Sequence, residues 1–250
     1  MAKAKAVKET LQLKTLSDIG EIKFASSGVP EIDELTGGFP RARITEIFGM
    51  QGIGKTDLML KCLSAMSTDS KVLYMDVENA LNPERLLKKG ATKPENIHIS
   101  EESILQEVAQ YVTNHVNDYD VIVVDSVAAL VPREEANGES GDQFVGLKAR
   151  LMGQWIRQLT AKLGKSNCAL VFINQLRDSM ILYGDPQFTP GGKALPYAAS
   201  LRIKLSTVKA DRIDGKVDGK TVVKGHKVTA LVVKSKVGAP HRSTQFSLMY

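Results

Sequence analysis

Cysteine is scarce in this chain of 250 residues: there are two, Cys62 and Cys168, each inside an apolar run. Two thiols so placed exclude a disulfide framework and lack the paired spacing of a zinc site, so they read as reduced core side chains. Histidine is equally sparse, and His98, His115, His226 and His241 are scattered, as structural or surface residues are, without metal-ligand spacing. The single tryptophan, Trp155, and the leucines at 147, 151, 159 and 163 sit at helical spacing and read as core. No apolar run approaches membrane-spanning length, and Met1–Lys8 has no apolar segment of the kind a secretory signal needs. The expectation is a cytoplasmic protein with no membrane partner. Charge of one sign does not dominate either. Lys and Arg total 33 against 28 Asp and Glu, giving a formal charge of +5 and a pI near 9.1. That is compatible with a nucleic-acid partner without arguing for one.

What is present is concentrated in one segment. Gly49-Met50-Gln51-Gly52-Ile53-Gly54-Lys55-Thr56 matches the phosphate-binding loop G-x-x-x-x-G-K-[ST]. Glycines let the backbone curl so that several N–H groups face one phosphate. Lys55 brings a compact positive charge, and the Thr56 hydroxyl is a ligand for Mg²⁺. Ile44–Phe48 alternates like a strand and the run from Asp57 continues with helical apolar spacing, so a helix N-terminus faces the anion. The candidate nucleotide set is therefore Gly49, Met50, Gln51, Gly52, Ile53, Gly54, Lys55, Thr56 and Asp57, and the expected substrate is a nucleoside triphosphate.

The remaining pattern predicts an α/β fold: a central, mostly parallel twisted sheet with helices on both faces. Strands are expected at Ile44–Phe48, Val72–Asp76, Ile97–Ile99, Val121–Asp125 and Cys168–Asn174, and helices at about 56–67, Pro83–Lys89, Ile104–Val116 and about 144–163. Continuous apolar strands separated by helices imply a sheet covered on both sides. After about Ser200, the segments Leu201–Ser206, Lys227–Lys234 and Thr244–Met249 alternate apolar and polar. Asp-Gly pairs at 214–215 and 218–219 read as turns, so antiparallel additions to the sheet are expected there. Residues 1–24 are lysine-rich and polar, and read as a short arm that is either a solvated tail or a subunit contact. Residues 25–250 read as one core with no internal repeat.

Three polar residues close apolar strands, where a parallel sheet gathers its ligand. Asp125 ends Val121–Val124 and suits Mg²⁺. Glu78 follows Tyr74–Val77 and could orient and deprotonate water. Gln175 follows Phe172–Asn174 and could sense a terminal phosphate. For Glu78 and Gln175, spacing alone does not choose between these roles and a strand-end cap. Two long connections follow the same strands. Pro132–Gln143 carries four acids and two glycines, and Leu176–Lys193 carries Arg177, Tyr183, Phe188, Gly191, Gly192 and Lys193. Long loops in a compact α/β domain are usually functional or disordered. Gly146, Arg150, Gly153 and Arg157 recur at intervals of 4, 3 and 4, one helical face. Glycines there suggest a close visitor and arginines suggest that it carries phosphates, the alternative being a solvated face packed through glycine.

Taken together, these residues resemble the bacterial RecA family of DNA strand-exchange ATPases. Asp76–Pro83 resembles the family segment with the catalytic glutamate. Val121–Leu130 resembles its Walker-B stretch, Phe172–Arg177 its glutamine switch, Thr189–Leu195 the end of its second DNA loop, and Val232–Pro240 the segment whose two lysines reach an adjacent subunit's ATP. The likeness covers about residues 24–250. It implies an ATPase that uses ATP and Mg²⁺, the metal held by Thr56 and Asp125, with Lys55, Glu78 and Gln175 catalytic and Lys234 and Lys236 completing the site in trans. It implies DNA binding by Arg150, Arg157, Arg177, Tyr183, Gly191, Gly192 and Lys193, and an aromatic subunit contact at Tyr197. Its implied partners are single-stranded DNA, homologous duplex DNA and further copies in a helical filament, with single-strand-binding and loading proteins beside them. Arg85 stands where the family stacks adenine on an aromatic. By the same likeness no C-terminal accessory domain is expected, and the reduced N-terminus and the end at the core suggest a minimal, phage-encoded member. Two other readings stay open at this point: a hexameric helicase or motor on the same core, and a DNA-binding mediator with little turnover.

Overall fold

The computed structural model describes residues 15, 20–138, 146–178, 187–207, 212–217 and 220–249. The elements run β1 (Phe24–Ala25), α1 (Pro30–Thr36), β2 (Phe39–Pro40), β3 (Arg43–Gly49), α2 (Lys55–Met66), β4 (Val72–Asp76), α3 (Pro83–Lys88), β5 (Ile97–Ser100), α4 (Leu105–His115) and β6 (Val121–Asp125). They continue with α5 (Arg133–Ala136), α6 (Leu147–Leu163), β7 (Ala169–Gln175), β8 (Arg177–Asp178), β9 (Gln187–Phe188), α7 (Ala194–Ala198), β10 (Leu201–Ser206), β11 (Arg212–Val217), β12 (Lys220–Ser235) and β13 (Ser243–Met249).

Nine strands form one sheet in the order β11-β12-β10-β3-β7-β6-β4-β5, with β13 paired to β12. The six from β10 to β5 are parallel and the pairs around β12 antiparallel. Side-chain parity assigns the two faces. Val121 and Val123 of β6 join the core under α1 and α2, with Leu58, Leu63 and Tyr74. Ile122 and Val124 join the core under α4 and α6, with Val108, Met152, Trp155 and Leu159. Both faces of the strand are covered, which is why it reads as a continuous apolar run. Burying each such side chain stabilises the fold by about 1.5–3 kcal/mol.

Local chemistry sets several boundaries. Pro83 opens α3 behind Asn82, whose side chain accepts from the Arg85 N–H at 3.2 Å. Gly37 closes α1 with a φ of 83°. Two expectations are corrected. Leu201–Ser206 is not a purely antiparallel addition: β10 pairs parallel with β3 on one edge and antiparallel with β12 on the other. Asp214-Gly215 is not a turn but lies inside β11, at a register shift. The other expected turn, at 218–219, lies outside the described residues, as do residues 1–14 and 16–19 of the arm. Among the described residues, no helix is long and apolar enough to cross a membrane.

Candidate active site

The carboxyl ends of β3, β4, β6 and β7 meet at one edge of the sheet. Beyond β3 the chain curls through Gly52 and Gly54, with φ of 77° and 86°, values that side-chain-bearing residues rarely adopt. A Cβ at Gly54 would fall 2.6 Å from Leu248 Cδ1, whereas nothing lies within 4 Å of one at Gly52. The loop is therefore braced by β13 on one side and open on the other. Helix α2 starts without a side-chain cap, and its first ladder bond runs from Leu58 N–H to Gly54 O at 2.9 Å. The N–H groups of Lys55, Thr56 and Asp57 precede that ladder at the positive end of the helix dipole, where a phosphate binds.

Lys55 is buried and donates through Nζ to the carbonyls of Gly49 at 3.1 Å and Met50 at 2.8 Å. Burial lowers its pKa, opposed by the charges of Asp125 and Glu78. Asp125 lies on the α2 side of the sheet by strand parity. Its Oδ2 accepts from Thr56 Oγ1 at 3.3 Å and from the Tyr74 hydroxyl at 2.8 Å. Burial lifts the Asp125 carboxyl to about 6, with Tyr74 pulling the other way and the Glu78 charge adding to the rise. Burial beside that carboxylate also raises Tyr74, so the phenol stays a donor. Glu78 Oε1 accepts from the Ser126 hydroxyl in a short contact and from Gln175 Nε2 at 2.9 Å. The three strand-end residues singled out from the sequence therefore converge with the phosphate loop.

They enclose a cleft of about 220 Å³ lined also by Gln51, Gly52, Gly54, Asp57 and His226. Gly49, Met50 and Ile53 do not line it: the first two give their carbonyls to Lys55, and the Ile53 side chain is buried. Arg85 stands outside the cleft and pairs closely with Asp57, which Lys89 also approaches at 3.9 Å. A larger groove of about 380 Å³ lies between α4 and α6, lined mainly by amide and apolar side chains, and has no strand-end acid and no phosphate loop.

The donor set fits a nucleotide with Mg²⁺. Thr56 and Asp125 offer two hard oxygens beside the helix N-terminus. Among the described residues, no group of three or more His, Cys, Asp or Glu could hold a metal unaided. Magnesium sites commonly take one or two protein oxygens and draw the rest from phosphates and water.

His226 is a member of the cleft that sequence reasoning assigned to structure or surface. Its Nε2 lies 3.3 Å from the Ile53 carbonyl, and its ring 3.3 Å from where a Gly54 Cβ would stand. The two segments are 173 positions apart, and no spacing signal joins them; only the return of β12 beside the loop does.

Lys234 and Lys236 are not brought to this cleft. Ser235 pairs with Leu201 and Leu201 with Thr45, whereas the phosphate loop leaves the sheet at Gly49, level with Leu205 and Ala230. The lysines therefore stand toward the opposite end of the strands. Lys234 Nζ donates to the carbonyls of Pro196 at 2.7 Å and Tyr197 at 2.8 Å, closing the C-terminus of α7, and Tyr197 is 71% exposed. Arg150 and Arg157 on α6, Arg177 on β8 and Lys193 are exposed. Gly146 does not share the helix face expected of it: it is the N-cap of α6, with a φ of 83°, and so is chosen for conformation rather than for a visitor. Gly191 and Gly192 have φ of 94° and 79°, and a Cβ on them would meet Val127 Cγ1 at 3.0 Å and Ala149 Cβ at 2.8 Å. They seat the loop's return against α6 and the segment after β6. Tyr183 and residues 139–145 lie outside the described residues.

The family model of the RecA N-terminal domain matches residues 6–250. The chain belongs to the RecA family. Protein RecA of Aquifex aeolicus is 37% identical over 246 residues, covering 96% of this chain and 69% of the relative. Protein RecA of Clostridium perfringens (strain 13 / Type A) is 37% identical over 245 residues, covering 92% and 68%. Membership carries nucleotide binding and ATP hydrolysis in DNA recombination and repair, with DNA and further copies of the same protein as partners.

Proposed function

We propose that this protein is a DNA-dependent ATPase that polymerises on single-stranded DNA and carries out homologous pairing and strand exchange with a duplex. The observation that carries the reading is the 2.9 Å hydrogen bond from Gln175 Nε2 to Glu78 Oε1. It joins a carboxylate suited to water activation to the last residue of β7, from which the second loop departs. Lys55 and the first amides of α2 bind the outer phosphates. Mg²⁺, held by Thr56 and Asp125, would neutralise phosphate charge there. Glu78 orients the attacking water and accepts its proton. Gln175 changes partner when a terminal phosphate is present, and this alters the loop that follows it. Arg150, Arg157, Arg177, Tyr183, Gly191, Gly192 and Lys193 form the DNA-facing set, and residues 1–24 a subunit contact on a core of 25–250. Arg85, paired with Asp57, is assigned to the base of the nucleotide.

The position of Lys234 and Lys236, away from their own phosphate loop, supports service to a neighbour's nucleotide, in the manner of an arginine finger. Turnover would then require assembly. Single-strand-binding and loading proteins are expected partners, in a cytoplasm. The test compares ATP hydrolysis and electron micrographs with and without single-stranded DNA. Glu78→Gln should lower hydrolysis by about 10²–10⁴-fold while keeping nucleotide binding, and a Lys234→Ala/Lys236→Ala double variant should bind nucleotide yet lose DNA-stimulated turnover. A double variant as active as wild type would refute the shared site. Closed rings that unwind tailed duplexes would favour a helicase instead.

A further inference from the structure

Asn174 and Gln175 are adjacent on β7, and strand parity points them to opposite faces of the sheet. Gln175 faces the nucleotide cleft. Asn174 faces the side covered by α7, and it is fully buried. Its Nδ2 donates to Glu46 Oε1 at 3.1 Å and to the Pro190 carbonyl at 3.1 Å, and its Oδ1 accepts the Gln175 N–H at 2.9 Å. Both amide protons and the carbonyl are thereby used. Glu46, also fully buried, is neutralised by Arg202 at 2.6 Å, whose guanidinium lies over the Phe48 ring at 4.5 Å. Pro190 is the residue before Gly191-Gly192, where the chain returning from the second loop packs down on α6. The loop thus leaves the sheet at Gln175 and comes back beside Pro190, and one buried amide grips both points.

We propose that Asn174 is a positioning residue that couples the nucleotide cleft to the second DNA loop, by holding the loop's return end at Pro190 to the backbone of Gln175. The proposal rests on the functional reading above and adds a residue to it. An unbroken set of hydrogen bonds runs from Glu78 through the Gln175 side chain, the Gln175 backbone and Asn174 to Pro190. A shift of Gln175 toward a phosphate reaches both ends of the loop because Asn174 is anchored to Glu46 and cannot yield alone. Buried networks of this kind are rigid when fully satisfied and costly when one member is lost.

The test separates coupling from packing. Asn174→Asp places a carboxylate against Glu46 and should destabilise the fold. The double variant Glu46→Gln/Asn174→Asp exchanges amide and acid, restoring the bond between positions 46 and 174 and the buried charge. It still offers Pro190 no donor. The expected result is an unfolding midpoint returning toward wild type, unchanged binding of a non-hydrolysable ATP analogue, and a stimulation of hydrolysis by single-stranded DNA that stays about tenfold below wild type, the scale of one buried hydrogen bond lost. Asn174→Ala, in which Glu46 keeps Arg202, answers the same question should the aspartate variants not fold. Full DNA stimulation in the double variant, or in Asn174→Ala, overturns the proposal. A wild type indifferent to DNA overturns the functional reading and this inference with it, and that arm distinguishes the two failures.

Discussion

Lys148, at the start of α6, shows how a side chain between two loops is tuned by its surroundings. Its Nζ donates to the Ala128 carbonyl at 2.7 Å, and burial lowers its pKa from 10.5 to about 8, with Glu135 opposing and Arg177 assisting. In the unfolded chain the amine keeps its proton to about 10.5; in the fold it releases it near 8. Folding therefore expels a proton between those values, so stability rises with pH across that window and the gain is lost as pH falls through about 8. Lys148→Met should flatten that stretch of the curve of unfolding midpoint against pH, and a slope equal to wild type would show the shift to be absent. Singly, the groups of the cleft differed in how readable they were. Asp125, Glu78 and Gln175 were legible because each ends an apolar run, and a parallel sheet gathers such ends. Tyr74 and His226 were not. Tyr74 sits mid-strand in an apolar run, where only parity beside Asp125 gives its hydroxyl a task. His226 needs a strand pairing from the far end of the chain. His226→Ala should weaken nucleotide binding more than it lowers the unfolding midpoint, as seen by titration with a fluorescent ATP analogue.

Helices and strands carry a different lesson, since a pattern reports burial and not direction. The half-buried alternation of β10 reads as an antiparallel edge, yet the strand pairs parallel with β3. Its polar positions, Arg202 and Lys204, face Glu46 and Gln187 and not water alone. The Asp-Gly pair at 214–215 shows the same limit, because β11 absorbs it at an irregularity in the ladder. Gly146 and Gly153 looked alike in the sequence, yet Gly146 caps α6 in a left-handed conformation and Gly153 lies within the helix. A Cβ at Gly153 would meet Arg157 Nη1 at 3.6 Å and Ala194 Cβ at 3.9 Å, ordinary contacts. Gly153→Ala should therefore stabilise the protein by about 0.5–1 kcal/mol through helix propensity. Gly192→Ala should cost about 1–3 kcal/mol, because it forces a side chain into a left-handed conformation and against Ala149. Chemical denaturation of the two variants checks both signs. A Gly153→Ala protein that is more stable but binds single-stranded DNA poorly would return that face to the role first read from the sequence.

For the assembled protein, a formal charge of +5 is modest, so DNA affinity must come from where cations stand. Contacts to phosphates release counterions, and affinity should fall steeply between low and physiological salt. Arg150→Ala and Arg157→Ala should each lower the steepness of that dependence, measured by fluorescence anisotropy on a labelled oligonucleotide, and an unchanged slope would remove them from the DNA-facing set. The architecture as a whole was legible because its central strands are covered on both faces. The placement of Lys234 and Lys236 away from their own loop was expected only through the resemblance and from no pattern in the residues, since it depends on how β12 returns along the sheet.

That return has a consequence for mixtures. Lys234 and Lys236 stand toward the end of the sheet opposite the phosphate loop, so on the proposed shared site a copy disabled in one place should stay competent in the other. A Glu78→Gln chain would still lend its lysines, and a Lys234→Ala/Lys236→Ala chain would still own a working carboxylate. Blended, two inert preparations should regain hydrolysis by complementation, as happens when each partner supplies what its companion has lost.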